Sequence, residues 1–246
     1  MTDIGRLQEI VSRARRIVFF GGAGVSTASG IPDFRSDSGL YAEAFQSLSP
    51  EMILSKTFFY LHPETFFAFY RRHMLYPDAR PNAAHRFLYE LEKADRLRGI
   101  VTQNVDGLHR RAGNIRVYEL HGSVRENACT ECGASYPMEA VLRAEGIPRC
   151  RCGGVIKPGI VLYGEPLPQF VCIGAKREIA GADALIVAGT SLSVEPAASF
   201  LDGFHGGSLV VINRTPTPAD ERADLVIRGD VAEVLGSLTV SPVSAH

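Results

Sequence analysis

The sequence predicts an α/β protein with a doubly wound parallel sheet and a smaller inserted domain. Six short apolar runs are typical of strands buried on both faces of a parallel sheet. They are IVFF from position 17, GIVT from 99, VYEL from 117, ALIVAG from 184, LVVIN from 209 and DLVI from 224. Helical patterns lie between several of these runs, and that alternation favours a doubly wound, Rossmann-like fold.

Two helices are predicted from apolar spacing. Residues 3–15 carry apolar side chains at helical intervals, with Thr2 or Asp3 as the cap. Residues 82–93 follow Pro81 and place Phe87, Leu88 and Leu91 on one side. The first helix therefore opens the chain, and the second connects two strands of the sheet.

Two segments do not fit the alternation of strands and helices. Residues 37–80 are rich in aromatic side chains and have helical character, whereas residues 124–156 contain four cysteines and no strong periodicity. We expect a Rossmann-like domain made of residues 1–36, 81–123 and 157–246. A helical module (37–80) and a cysteine-containing module (124–156) would form the small domain.

The composition is that of an ordinary globular protein. Of 246 residues, 46% are hydrophobic and 22% are charged, and the net charge is -1, which argues against a nucleic-acid-coating protein. The N-terminus lacks the apolar stretch of a signal peptide, and no apolar run reaches the roughly 18 residues of a membrane span. We expect a cytoplasmic monomer that binds neither membranes nor nucleic acids.

The first strand runs into a glycine turn, GGAGVSTASGIPDFRS. Gly22 and Gly24 match the first two glycines of a dinucleotide-binding fingerprint, but Thr27 stands where the third is expected. A tight turn without a ligand is the alternative. A dehydrogenase would need an acidic residue after the next strand, and TQN occurs there instead. Further along the loop, Asp33 and Arg35 flank Phe34, either over a bound ligand or as a surface ion pair.

Polar residues follow two more strands. Gln103, Asn104 and Asp106 belong to the stretch TQNVDGLH, and His121 follows the run VYEL. Imidazole has an ordinary pKa near 6.5, so His121 is a candidate general base. For Gln103, Asn104 and Asp106, the alternative is that their side chains cap the turn after the strand. His85 and His109 are interpreted as structural.

The cysteines predict a zinc site. Cys129 and Cys132 form a CxxC pair, and Cys150 and Cys152 follow as CxC. Four thiolates from two knuckles suit tetrahedral zinc, although the shorter second knuckle leaves its ligand geometry open. A redox-active dithiol or inert buried thiols are the alternatives. Cys172 is separate, and we interpret it as a small packing residue.

Taken in order, the glycine loop, TQNVDGLH, ELHG, the four cysteines, KPGIVLYGE and GTSLSVEP strongly resemble the sirtuins, which are NAD-dependent protein lysine deacylases. The resemblance extends from about residue 17 to residue 232. It implies a large NAD-binding domain and a small domain with a structural zinc ribbon. NAD and an acyl-lysine segment of a protein would meet in the cleft between them.

The resemblance also implies residue roles. The acyl oxygen attacks the ribose carbon of NAD as nicotinamide leaves, and His121 deprotonates a ribose hydroxyl, with Asn104 and Asp106 also in the catalytic set. Residues expected to bind NAD are Gly22, Ala23, Gly24, Ser26, Thr27, Asp33, Phe34, Arg35, Gln103, Asn104, Asp106, Gly189, Thr190, Ser191, Asn213, Asp230 and Val231. Residues expected to receive the substrate backbone by strand addition are Val161, Leu162, Tyr163, Gly164 and Glu165, unless GIVLY is one more interior strand.

Acyl preference is read from the helical module. Family members that prefer acidic acyl groups have a Tyr followed three positions later by an Arg, whereas Tyr70 is followed by His73 here. Deacetylation is therefore favoured, unless Arg71 or Arg72 turns inward. The aromatic residues of the helical module either line a channel for the acyl group or form the hydrophobic core of the module. Desuccinylation, long-chain deacylation, ADP-ribosyl transfer to protein and a zinc-ribbon nucleic-acid-binding module are the competing functions.

Overall fold

In the computed structural model, which describes residues 2–33, 45, 47–193 and 198–240, the strands form two separate sheets. The strands are β1 (Ile17–Gly21), β2 (Leu97–Thr102), β3 (Val117–Glu119), β4 (Gly122–Cys129), β5 (Ser135–Tyr136), β6 (Ile156–Ile160), β7 (Ala184–Ala188), β8 (Ser208–Ile212) and β9 (Leu225–Ile227). Six of them form a parallel sheet in the order β3-β2-β1-β7-β8-β9. All six predicted runs belong to this sheet, which confirms the doubly wound fold class.

The helices in the described residues are α1 (Asp3–Arg13), α2 (Pro50–Ile53), α3 (Lys56–Leu61), α4 (Pro63–His73), α5 (Ala83–Lys93), α6 (Leu108–Ala112), α7 (Met138–Arg143), α8 (Gln169–Ala180) and α9 (Val231–Gly236). Both predicted helices are present. Thr2 caps α1, because its hydroxyl accepts from the Gly5 amide at 3.1 Å. Within the described part of the chain, no helix combines the length and apolar character needed to cross a bilayer.

The parallel sheet is covered on both faces. Successive side chains of a strand point to opposite faces, so Ile17 and Phe19 of β1 lie in one hydrophobic cluster and Val18 and Phe20 in another. The first cluster includes buried residues of α1, α5 and α9, and the second includes residues of α8. All five residues of β1 are buried. The carboxyl end of β1 therefore lies at the edge of the sheet, between the helices that cover its two faces.

The second sheet is antiparallel and lies in the cysteine-containing segment. Its order is β5-β4-β6, and β4 pairs with both neighbours. Strand β6 ends at Ile160, so GIVLY is not an interior strand of the parallel sheet. This antiparallel sheet, together with the cysteines, is the zinc-ribbon part of the predicted fold.

The helical module and the ribbon share one hydrophobic cluster. Phe66, Phe67 and Phe69 of α4 are fully or almost fully buried in it, together with Val124 of β4 and Val141 of α7. These phenylalanines therefore belong to the module core rather than to a channel wall. The shared cluster supports a single small domain, while the domain boundaries given above remain a prediction.

Candidate functional site

A cleft of about 1220 Å³ opens at the carboxyl ends of β1, β2, β7 and β8. Because neighbouring parallel strands end at the same edge of a sheet, residues that are distant in sequence meet there. The predicted site residues that line the cleft are Ala23, Gly24, Thr27, Asp33, Gln103, Asn104, His121, Val161, Leu162, Tyr163, Gly164, Glu165, Gly189, Thr190, Ser191, Asn213 and Val231. One cavity thus collects the glycine loop, the candidate base and the candidate peptide edge.

The remaining residues predicted to bind NAD lie behind the cleft wall, at its edge, or outside the described residues. Ser26 and Asp106 lie beneath its floor, and Asp230 caps a helix at its edge. Gly22 contacts the turn after β7. Phe34 and Arg35 fall in a part of the chain that the structure does not describe.

The glycines of the first loop are required by the approach of a second loop. The Gly24 amide donates to the Gly189 carbonyl at 2.9 Å, and a Cβ on Gly24 would lie 2.7 Å from the Gly189 Cα. Gly189 itself has φ +61°, in the left-handed region. The two loops therefore brace each other through backbone contacts that leave no space for side chains.

We expect Gly24→Ala to destabilise the protein by about 1–3 kcal/mol, because the added methyl group overlaps backbone that cannot move independently. Chemical denaturation would measure this change, and NAD affinity should fall with it. Gly203→Ala is the matched control, since a Cβ at Gly203 meets no atom within 4 Å. Equal stability of the two variants would contradict the bracing role.

Ser26, Asn104 and Asp106 form a buried hydrogen-bonded group below the glycine loop. The Ser26 hydroxyl donates to Asp106 Oδ2 at 2.7 Å and accepts from Asn104 Nδ2 at 3.2 Å. Asp106 Oδ1 accepts from the Leu108 amide at 2.7 Å. Burial raises the pKa of Asp106 above its ordinary value, and these donated hydrogen bonds oppose the rise. The group links the two loops that form the floor.

Gln103 lines the cleft and has one side-chain donor without a partner. Its Oε1 accepts from the Thr190 hydroxyl at 2.9 Å, which fixes the orientation of the amide. Its Nε2 is buried and has no partner among the described residues. A buried N–H group without an acceptor is costly, which marks Gln103 as a candidate binding residue.

His121 is held with one ring nitrogen directed at the backbone. Its Nδ1 lies 2.9 Å from the Gln103 carbonyl oxygen. A carbonyl only accepts, so Nδ1 carries the proton of the neutral ring and Nε2 keeps its lone pair. Burial lowers the pKa of His121 below 6.5, and the bond to Gln103 opposes that shift. The neutral ring, which can accept a proton, is the form present at neutral pH.

The far end of the cleft lies at the ends of β8 and β9. Asn213 Nδ2 donates to the Thr215 carbonyl at 2.9 Å, and Asp230 caps α9 by accepting from the Ala232 amide at 2.8 Å. Asp230 also accepts from Arg214 at 2.7 Å. Arg214 and Thr215 also line the cleft, and neither residue was predicted from the sequence. Their position directly after Asn213 was the available signal.

The candidate peptide edge has most of its backbone already engaged. The Val161 amide donates to the His121 carbonyl, and the Tyr163 amide donates to the Leu54 carbonyl, both at 2.9 Å. Tyr163 also accepts from the Lys56 amide at 2.9 Å. Gly164, with φ +87°, has no backbone partner among the described residues. Strand addition through this edge would therefore rely on Gly164 more than on Tyr163.

The inner end of the cleft is apolar and was missed in the sequence analysis. Leu54, Met74, Val105 and Ile160 line it alongside the predicted Leu162. In sequence these residues look like ordinary core residues, so no signal distinguished them. Cys172 also lines the cleft while packing against the core, which extends its predicted role.

His85 and His109 are buried beside each other, with ring centroids 4.6 Å apart. His85 Nδ1 accepts from the Asn82 amide at 3.3 Å in a capping box at the start of α5. Burial lowers the pKa of His85 to about 4. This capping role agrees with the structural interpretation of His85, whereas both ring nitrogens of His109 lack a hydrogen-bond partner among the described residues.

The four predicted zinc ligands converge. Their sulfur atoms all lie within 4.8 Å of one another, and Cys129–Cys152, Cys132–Cys150 and Cys152–Cys132 sulfur pairs are 3.5–3.6 Å apart. Zinc–sulfur bonds of about 2.3 Å in a tetrahedron separate the sulfurs by about 3.8 Å. The cluster fits zinc, and the short CxC knuckle does not prevent convergence.

Comparison with known proteins agrees with this geometry. The Sir2 family model matches residues 22–196. The chain is 49% identical to the NAD-dependent protein deacetylase of Clostridium perfringens and 50% identical to that of Clostridium acetobutylicum. Those alignments cover 96% of this chain and 98% and 97% of the relatives.

Two solved structures are also similar. A complex of a Sir2 variant with deacetylated p53 peptide and 3′-O-acetyl ADP ribose has a TM-score of 0.87 at 37% identity, covering 95% of this chain and 96% of that chain. A Sir2 complex with p53 peptide and NAD+ has a TM-score of 0.82 at 37% identity, covering 96% of both chains.

Proposed function

The chain belongs to the Sir2 family and is an NAD-dependent protein deacetylase, and from that premise we propose that it transfers acetyl from acetyl-lysine to the ribose of NAD. The reaction consumes one water molecule, and nicotinamide and a free lysine side chain are the other products. The observation that carries this proposal is the orientation of His121, which leaves Nε2 to accept a proton, in the cleft that Gln103 also lines.

The cleft residues hold the ribose in place. Bound NAD supplies an electrophilic ribose carbon, which the acyl oxygen attacks as nicotinamide departs. The buried Nε2 of Gln103 donates to a ribose hydroxyl, and Asn104, fixed by Ser26, lies on the same floor. Such fixed contacts reduce the entropy cost of reaching the reactive arrangement.

His121 then moves the proton. Its Nε2 would accept the proton of a ribose hydroxyl as that oxygen bonds to the acyl carbon. The lysine amine would then leave with this proton, and water added at the acyl carbon would free the oxygen on the first ribose carbon as a hydroxyl, which leaves acetyl-ADP-ribose. The Gln103 carbonyl keeps Nδ1 protonated at 2.9 Å, which holds the ring in the tautomer that can act as a base. A lowered pKa makes the neutral ring abundant at physiological pH.

The remaining predicted residues hold the two substrates at opposite ends. Gly189, Thr190 and Ser191, in the turn after β7, line the cleft and would hold the phosphates, while Asn213 and Val231 would hold the adenosine. We assign Arg214 to the adenosine end of the cleft as well, because it lines the cleft and is paired with Asp230. The substrate backbone pairs with the edge at Gly164.

The apolar inner end favours a small neutral acyl group. Leu54, Met74 and Val105 line it, and none carries a charge. Arg71 is directed elsewhere, since its Nε donates to the Val141 carbonyl at 2.9 Å and a second nitrogen contacts the Gly146 carbonyl. Arg72 is exposed. Neither Arg71 nor Arg72 is therefore positioned to hold an acidic acyl group, which favours acetyl over succinyl.

A panel of acetyl-, succinyl- and long-chain acyl-lysine peptides, incubated with and without NAD, tests the proposal. We expect NAD-dependent removal of acetyl as the main reaction, read as peptide mass loss together with an acetyl-ADP-ribose product. Succinyl removal should be slower by at least about 10-fold, because burying an unpaired carboxylate costs more than 1.4 kcal/mol. A peptide or protein that gains the mass of ADP-ribose would contradict acyl transfer.

A further inference from the structure

One tyrosine contacts the zinc-binding cysteines from outside the two knuckles. The Tyr136 hydroxyl donates to Cys150 Sγ at 3.1 Å. Cys150 is buried, with 8% of its surface exposed, whereas its knuckle partner Cys152 is exposed. The hydrogen bond therefore reaches a thiolate that water reaches poorly.

Strand pairing fixes the position of Tyr136. Tyr136 lies in β5 opposite Asn127 of β4. The Asn127 side chain, which is 3% exposed, donates through Nδ2 to the Tyr136 and Val124 carbonyls, both at 3.2 Å. The tyrosine ring also packs against the hydrophobic cluster of the small domain. Its hydroxyl is consequently directed at the sulfur by three separate constraints.

Charge explains why such a donor matters. Four thiolates around one divalent cation carry a net charge of about -2, and two of these cysteines, Cys129 and Cys150, are buried. A hydroxyl that donates to a ligand sulfur disperses part of this charge, and groups of this kind commonly change metal affinity by about 10–100-fold. Cys129 receives a comparable donor in the Glu131 amide at 3.4 Å.

We propose that the Tyr136 hydroxyl stabilises the zinc-bound form of Cys150 and sets how slowly zinc leaves the site. Tyr136 is then a positioning residue for the zinc site, whose cysteines do not line the cleft. Its ring contributes to packing, and its hydroxyl contributes to metal retention. These two contributions are separable because phenylalanine keeps the ring and removes only the oxygen.

Zinc release to a chromogenic chelator tests the proposal. Purified Tyr136→Phe should release zinc about 10–100-fold faster than the parental protein, with unchanged secondary structure by circular dichroism. Tyr118→Phe is the matched control, because it removes a partly buried hydroxyl from β3 of the other sheet. Equal release rates for Tyr136→Phe and the parental protein would overturn the role.

A spectroscopic readout separates the hydrogen bond from general loosening. In cobalt-substituted protein, loss of a donor to sulfur raises the sulfur lone-pair energy, so the thiolate-to-cobalt absorption of Tyr136→Phe should move to longer wavelength. An unmoved band would contradict the proposal. If the variant does not fold, 3-fluorotyrosine in the parental chain gives a stronger donor and should move the band to shorter wavelength, and no movement would again contradict it.

Discussion

His121→Ala should lower kcat by about 100- to 10,000-fold, the contribution of a positioned general base. NAD affinity should be retained, because the Gln103 amide is oriented by Thr190 and not by the imidazole. Single-turnover deacetylation measured by mass spectrometry would give the rate, and calorimetry would give the affinity for NAD. The expected signature is a loss of turnover without a loss of binding.

The control for this variant is His205→Ala, which removes an exposed imidazole that does not line the cleft. It should deacetylate peptide at the parental rate. If His121→Ala also worked at that rate, proton transfer would have to be assigned to another group. If instead NAD binding were lost, His121 would be a binding residue and the proposed role would be wrong.

The same base predicts a pH profile. The neutral ring is the active form, so kcat/KM should fall as pH falls through the pKa of His121 in the free enzyme. Burial lowers that pKa, which places the midpoint of the acid limb below 6.5. A midpoint above 6.5 would mean that a neighbouring negative charge, and not burial, dominates the environment of the ring.

The strands of the parallel sheet were predictable because burial on both faces leaves almost no polar residue in the run. Strand β7 is the clearest example, since all five of its residues are buried. Strand β4 was not predictable. Its burial alternates irregularly, and its pairing with β6 shifts register between Gly122 and Asn127. A bulged strand that carries metal ligands lacks the period-two pattern on which such predictions depend.

The residues of the candidate site likewise include some that the sequence indicates and some that it does not. Gln103, Thr190 and Asn213 follow strands that end at one sheet edge, so sequence order and topology together indicate that they are close. Leu54 and Met74 reach the cleft only through packing of the helical module, and their chemistry is that of core residues. The direction of a side chain such as Arg71 depends on contacts with a distant segment, which no local pattern encodes.

Cys129→Ser should lose zinc and unfold the small domain while the parallel sheet remains folded. Zinc at structural sites contributes an apparent binding free energy of about 10–16 kcal/mol, which is as large as the total stability of many domains. Cys129 and Cys150 belong to the same hydrophobic cluster as Phe66 and Phe67 of α4. Loss of the metal should therefore spread from the ribbon into the helical module.

Hydrogen exchange resolves this outcome by segment, and metal analysis gives zinc content. Amides of β4, β6 and α4 should lose protection, whereas those of β1 and β7, whose buried residues lie in the two other clusters, should keep it. Cys172→Ser is the control for zinc content, because Cys172 is not part of the four-cysteine group. If Cys129→Ser contained no zinc but α4 kept its parental protection, the stability of the helical module would not depend on the metal. We also expect Cys129→Ser to lose turnover. The Leu54 carbonyl accepts from the Tyr163 amide, so unfolding of the helical module would release the candidate peptide edge.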